Sequence, residues 1–399
     1  MKKVNRYVPE KAYDFISKSN YKNKEHLYII LDMVNRITIF RKYDTDYSNK
    51  FVDIPKEYFR DIICDSKSIS NSMDYLKSNG ILDCDGIYSK EKGKALGYRV
   101  NNNYFSKLIK IEIEKPTLTK KIMSNVNKEK SRVNDKYKKY KSFFASSFKI
   151  NFEKANNHLT THYLNHSLCR RNLDEKIKSI NRYNHLYMSI SAINDGELFF
   201  RHNKTNGRID TNLTNLKSEL KQFISIPNLI QLDIVNSQPY ILSLYLKSKG
   251  LDGSKFISWT ERGIFYENFE KEYYKQTGKT LTRKEVKEIM FCIFYSKNES
   301  YKKEKSIFKS IFPKEYEMIE IEKMNKHNQL AIKMQRLESE ICIDTICQEL
   351  DKVNVKYFTI HDAWIVDRLD EFKVKEIVEK EFMKKYRSIP KIKIEQITK

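Results

Sequence analysis

Two apolar runs in the carboxy-terminal half each carry a carboxylate where a buried strand would exclude one. In LIQLDIV, Asp233 follows Leu229 to Leu232. In TIHDAWIV, Thr359 to Val366, His361 and Asp362 stand between Ile360 and Ala363. Runs of this length and composition read as buried strands. An ionised carboxylate among them is costly unless it is paired or holds a cation. A lone His-Asp pair commonly forms no more than a local hydrogen bond. Two carboxylate-bearing strands in one chain suggest a shared site, and that constrains the fold, because the strands must then lie together. Two carboxylates holding two magnesium ions suit in-line phosphoryl transfer. The metals would activate a hydroxyl nucleophile and neutralise a pyrophosphate leaving group.

Such chemistry needs cations that face phosphate. In LTRKEVKEIMFCIFYSKNES, Arg283, Lys287, Phe291 and Tyr295 recur at every fourth position. That spacing predicts one face of a helix, with slow drift. Two cations followed by two aromatics suit a triphosphate at one end and a base at the other. The overall charge agrees: 75 Lys and Arg against 52 Asp and Glu give a net charge of +23. Either the chain meets a polyanion, most simply nucleic acid, or its Lys- and Asn-rich composition is a genome habit. Anionic membrane is the rival partner. No transmembrane run or signal peptide is legible, since charge interrupts Val4 to Phe15, so no membrane and a cytoplasmic location are expected. The cysteines Cys64, Cys84, Cys169, Cys292, Cys342 and Cys347 are scattered, with no CxxC pair. That argues against a zinc ribbon or a disulfide framework and suits a reducing compartment.

A length of 399 residues suits two or three domains. Residues 1–23 are polar and expected to be loosely ordered. Over 24–114, KEHLYIILDMVNRITIF, IPKEYFRDII and SKSISNSMDYLKSNG read as three helices, and ILDCDGIYSKEKGKALGYRV as a basic hairpin. This is the order of a winged helix-turn-helix, which serves either to bind duplex DNA or to contact protein. Residues 115–150 are dense in Lys. They read as a solvated helical linker, or as a basic arm along a phosphate backbone with Tyr137, Tyr140, Phe143 and Phe144 available for stacking. Residues 151–399 alternate helical and strand-like patterns, so a mixed α+β domain is expected.

The helix pattern Arg283-x3-Lys287-x3-Phe291-x3-Tyr295 resembles motif B of the family A polymerases, which forms their fingers helix. LDIVNSQPYIL resembles their motif A, and TIHDAWIV their motif C, a hairpin with a His-Asp pair. TNGR, Thr205 to Arg208, resembles the T-x-G-R stretch that opens the palm. MQRLES, Met334 to Ser339, resembles the Met-Gln helix before motif C. The matches keep the family's order. The resemblance implies an α+β right-hand fold: palm and fingers over 201–399, a basic linker or reduced thumb over 115–200, and the winged helix-turn-helix in front. It implies that Asp233 and Asp362 hold two Mg2+ ions, with Mn2+ an alternative, assisted by the Ile234 carbonyl. Arg283 and Lys287 would hold the β- and γ-phosphates. Tyr295 would stack near the nascent pair and Phe291 would line the nucleotide pocket. Arg208, Gln335 and His361 would lie near the primer end.

The sequence also departs from the family. Ser296 follows Tyr295 where Gly is usual. Gln238 stands where a DNA polymerase usually has the Glu that excludes a ribose 2′-hydroxyl, and a register shift in the NSQP turn would put Tyr240 there instead. The short segment between motifs B and C implies reduced fingers and low processivity. No proofreading exonuclease pattern is legible. The expectation is a DNA polymerase with priming capacity serving a phage or other mobile element. Its partners would be DNA template and primer, nucleoside triphosphates, and a helicase or single-strand-binding protein. Phage-type single-subunit RNA polymerases share motifs A, B and C and remain an alternative. So does a DNA-binding replication initiator or regulator on a polymerase-like scaffold, although a decayed site would have lost one of Asp233, Asp362, Arg283, Lys287 and Tyr295. A third alternative is nucleic-acid binding through the winged helix alone, with an unrelated fold behind it.

Overall fold

Helices and short antiparallel strands alternate irregularly in the computed structural model, which describes residues 4–40, 51–130, 135–169 and 172–398. The chain divides into two units. One holds residues 1–132 and 149–198, the other residues 133–148 and 199–399.

The first unit begins with strand β1 (Asn5–Pro9), then helices Glu10–Lys18 and Lys24–Phe40. Leu27, Ile30, Leu31 and Val34 recur at helical spacing along the second helix and are fully buried. Strand β2 (Val52–Asp53) and helices Lys56–Ile63 and Ser66–Ser78 follow. Asp65 caps the last of these, accepting from the Ser68 amide at 2.8 Å. Strands β3 (Leu82–Cys84) and β4 (Gly97–Val100) close an antiparallel sheet in the order β2-β4-β3. Strand β5 (Leu108–Glu112) leaves that sheet and pairs with β1.

That pairing corrects the expectation for residues 1–23. From residue 4 onward they hold a buried strand and a helix, not a loose end. The polar look of NRYVP was misleading because several of its polar groups find partners inside the fold. The Tyr7 amide donates to Asp32 at 2.9 Å and the Asn5 side chain to Asp195 at 2.9 Å. Residues 1–3 lie outside the described residues.

The stretch 115–200 is likewise not one linker. Helix Pro116–Lys130 and helix Leu173–Asn194 belong to the first unit, and helix Lys138–Ser147 to the second. Residues 131–134 lie outside the described residues. The aromatics proposed for base stacking are engaged in packing. Tyr140 stacks on Tyr357 with ring centroids 5.2 Å apart, and Phe143 on Phe358 at 5.2 Å. Tyr137, Tyr140 and Phe144 are buried.

The second unit opens with the hairpin β6 (Phe200–His202) and β7 (Ile209–Thr211). Its main sheet comprises β8 (Leu229–Ile234), β9 (Tyr357–Ile360), β10 (Ala363–Asp367) and β11 (Ile392–Gln396). The order is β11-β8-β10-β9, antiparallel throughout. Trp364 on β10 is fully buried, and its indole N–H donates to the Cys342 carbonyl at 3.2 Å. Between β8 and β9 run helices that bury Phe256, Phe265, Phe269, Phe294, Phe308 and Phe312 in one aromatic cluster. All six cysteines are free thiols. Among the described residues, no helix is long and apolar enough to cross a membrane.

Candidate active site

Strands β8 and β10 are hydrogen-bonded neighbours, and the register sets Ala363 opposite Asp233. On the other side of β10, Ala363 pairs with Ile360 of β9. His361 and Asp362 are therefore a two-residue hairpin connection, and His361 takes the left-handed backbone (φ 55°) that such turns require. Strict strand alternation would send the side chains at 233 and 362 to opposite faces. Asp362 sits in the turn, outside that constraint, and its charge acts on Asp233. The Asp233 carboxyl is pushed up to about 7, first by burial and then by Asp362 and Glu395, while Lys221 and Lys287 pull it down. The Ile234 amide donates to the Asp362 carbonyl at 3.4 Å, tying the two segments together. Burial holds the His361 imidazole below its usual range, with nearby Arg208 adding to the effect. Its Nδ1 is buried without a hydrogen-bond partner.

Helix Arg283–Tyr295 starts at a capping box in which Thr282 and Glu285 satisfy each other's amides, at 2.8 and 3.3 Å. Val286, Met290, Ile293 and Phe294 are buried. Arg283, Lys287 and Phe291 are exposed on another face, which Tyr295 continues half-buried. Arg283 donates to Asn236 Oδ1 at 3.0 Å, pairs with Glu267, and lies 5.2 Å from the Tyr266 ring centroid. Lys287 lies 5.9 Å from the same ring. The Phe291 and Tyr295 rings are 5.5 Å apart. Asn236 holds a left-handed conformation (φ 55°) two residues beyond β8, so its contact with Arg283 joins the carboxylate strand to the cationic helix.

A second polar chain links Arg208, Glu338, Gln238 and Tyr295. Arg208 donates to Glu338 at 2.8 Å from Nε and 3.0 Å from Nη2. Gln238 Nε2 donates to the same carboxylate at 3.1 Å, and the Tyr295 hydroxyl donates to Gln238 Oε1. Glu338 is 1 % exposed. Burial and the Asp362 charge raise its carboxyl to about 7, against the pull of Arg208. Gln335 accepts from the Asn206 side chain at 3.1 Å, which fixes the TNGR turn on the helix Gln329–Ser339. In that turn Gly207 has φ 76°, and an added Cβ would stand 3.0 Å from the Ser339 Cβ.

The structure thus brings together Asp233, Asp362 and Lys287 through their charges, Arg283 with them through Asn236, and Arg208, Gln238 and Tyr295 through Glu338. Tyr240 is a correction. It is fully buried, and its hydroxyl donates to Ser388 Oγ at 3.1 Å. Positions 238 and 240 are two apart on helix Ser237–Lys247, so they point to opposite faces. Glu338 and Asn236 were missed, although both stand inside stretches singled out from the sequence. Neither carried a sequence signal of its own: Glu338 stands beside Ser339 and Glu340, and nothing in that stretch marks it as the carboxylate that is buried.

The chain matches no protein-family profile and no curated protein. Its fold is polymerase-like. Among the solved structures that it resembles is the POL domain of Pol1 from M. smegmatis in complex with DNA primer-template and dNTP. The TM-score is 0.51, with 8% identity over 70% of this chain and 72% of that chain. At that identity the likeness is one of fold.

Proposed function

We propose that the protein is a template-directed nucleotidyl transferase of family A type, a DNA polymerase with priming capacity for a phage or other mobile element. The observation that carries this reading is the placement of Asp233 and Asp362 on adjoining antiparallel segments, within a polymerase-like fold, beside a helix face bearing Arg283 and Lys287. The donor chemistry fits Mg2+. Both groups are hard carboxylate oxygens, and the Asp233 carboxyl is raised first by burial and then by the negative charge of Asp362 and Glu395, which a cation would offset. The Ile234 carbonyl, substrate phosphates and water would complete the coordination. When bound, magnesium supplies activation of the 3′-hydroxyl and charge neutralisation at the leaving pyrophosphate.

The protein's own groups do the rest. Arg283 and Lys287 bind the triphosphate, Tyr295 and Phe291 bound the base, and Arg208, Gln335 and His361 hold the primer end in line. In the first unit, the order helix, β2, helix, helix, β3, β4 supports a winged helix-turn-helix that contacts DNA. Gln238 favours one variant of the reading, tolerance of ribonucleotides, because no carboxylate stands at that position.

Primer extension with labelled dNTPs and, separately, rNTPs tests the proposal, with and without primer. Magnesium-dependent incorporation that Asp233→Ala abolishes, with DNA binding retained, is the expected result. Incorporation surviving in Asp233→Ala overturns the metal-site assignment. DNA binding without incorporation by the unmodified protein favours the initiator or scaffold alternative.

A further inference from the structure

Glu338 is a buried carboxylate for which the proposed chemistry has no use, yet it connects three parts of the site. It accepts from Arg208, next to the TNGR turn, and from Gln238, just beyond β8. Gln238 in turn accepts from Tyr295 on the cationic helix. An ionised carboxylate can only accept. Gln238 must therefore turn its NH2 toward Glu338 and its oxygen toward Tyr295, so the Tyr295 hydroxyl proton is committed to Gln238. In its ionised form, held by two Arg208 N–H donors, that carboxylate fixes the direction of every hydrogen bond in the chain. An uncharged amide at 338 would not. It would offer its oxygen to Arg208 and its NH2 to Gln238, which would then turn over and present NH2 to Tyr295. The tyrosine would become the acceptor, with its proton free.

We propose that Glu338 is a positioning residue for the nucleotide face. Its charge sets the amide orientation of Gln238 and, through it, holds the Tyr295 side chain beside Phe291. The inference rests on the nucleotide-binding reading of that helix face, but its structural half can be read without catalysis.

The test is a double-mutant cycle on the full chain with Glu338→Gln, Gln238→Glu and the combined exchange. Glu338→Gln reverses the hydrogen-bond direction. Gln238→Glu sets two carboxylates together. The exchange restores an alternation in which the residue at 238 again accepts from Tyr295. Each single variant should raise the nucleotide KM about tenfold, the effect of one charge-assisted hydrogen bond, with kcat much less affected. The exchange should recover most of that loss. The same cycle in unfolding temperature should be non-additive, with the exchange more stable than the sum of the single changes. Should Glu338→Gln not fold, Gln238→Leu cuts the chain at its middle and carries the same KM expectation. Additive losses in the exchange, or an unchanged KM in a folded single variant, overturn the inference. If the unmodified protein incorporates no nucleotide, the functional reading falls, and the coupling in unfolding temperature still decides whether Glu338 orients Gln238.

Discussion

Asp233 and Glu338 are carboxyl groups held near 7 by burial and by the same neighbour, Asp362, and Glu338 has a direct cationic partner in Arg208. A raised folded-state pKa makes the metal-free folded protein the stronger proton binder. The stability from this source is fully present below about pH 4 and is lost as the pH rises to about 7. Thermal melts of metal-free protein should show that decline, and Asp233→Asn should flatten part of it, leaving the Glu338 share. Magnesium should raise the melting temperature at pH 7.5 far more than at pH 5.5, since the metal needs the ionised form. An equal effect at both pH values would contradict a carboxylate site. Gly207 gives a second expectation. Alanine there adds both a positive-φ penalty and the 3.0 Å contact with Ser339. Gly207→Ala should cost about 1–3 kcal/mol in urea unfolding, and a neutral result would mean that the turn does not bear on the helix.

At the scale of elements, the parts legible in the sequence were those whose signal is local. RKEVKEIMFCIFY is a helix with the expected face exposed, and His361-Asp362 forms a hairpin turn between apolar strands. What stayed hidden needed a distant partner. β1 pairs with β5 across about a hundred residues of sequence, β11 joins β8 from the far end of the chain, and Glu338 finds Arg208 through tertiary packing. Within the Lys-rich 115–150 stretch, the aromatics read as available for stacking on bases instead pack against β9. Position 240 was misjudged because helix periodicity begins at Ser237, ahead of Pro239. The capping box carries a prediction at this scale. Thr282→Ala should weaken the Arg283 helix by about 1 kcal/mol. Amide exchange over 283–286 should quicken and the nucleotide KM should rise; unchanged exchange would show that the cap does not hold the helix start.

Over the whole molecule, the net charge of +23 has a consequence for binding that no single residue carries. If the partner is DNA, affinity should fall steeply and log-linearly with salt, with a slope near −0.9 per phosphate neutralised. Filter binding across a salt series measures it, and a flat dependence would leave the charge as mere composition. Asp362→Ala should bind DNA at least as tightly as the unmodified protein, since it removes a negative charge and no phosphate contact.

The most direct test is divalent-metal binding at the two carboxylates. Mn2+ binding followed by electron paramagnetic resonance, in the presence of primed DNA and a non-hydrolysable nucleotide, should show ions whose binding is lost in Asp233→Asn and equally in Asp362→Asn. Loss in both would establish that carboxylates from two distant stretches of sequence form one site. Undiminished Mn2+ binding in either variant would contradict it.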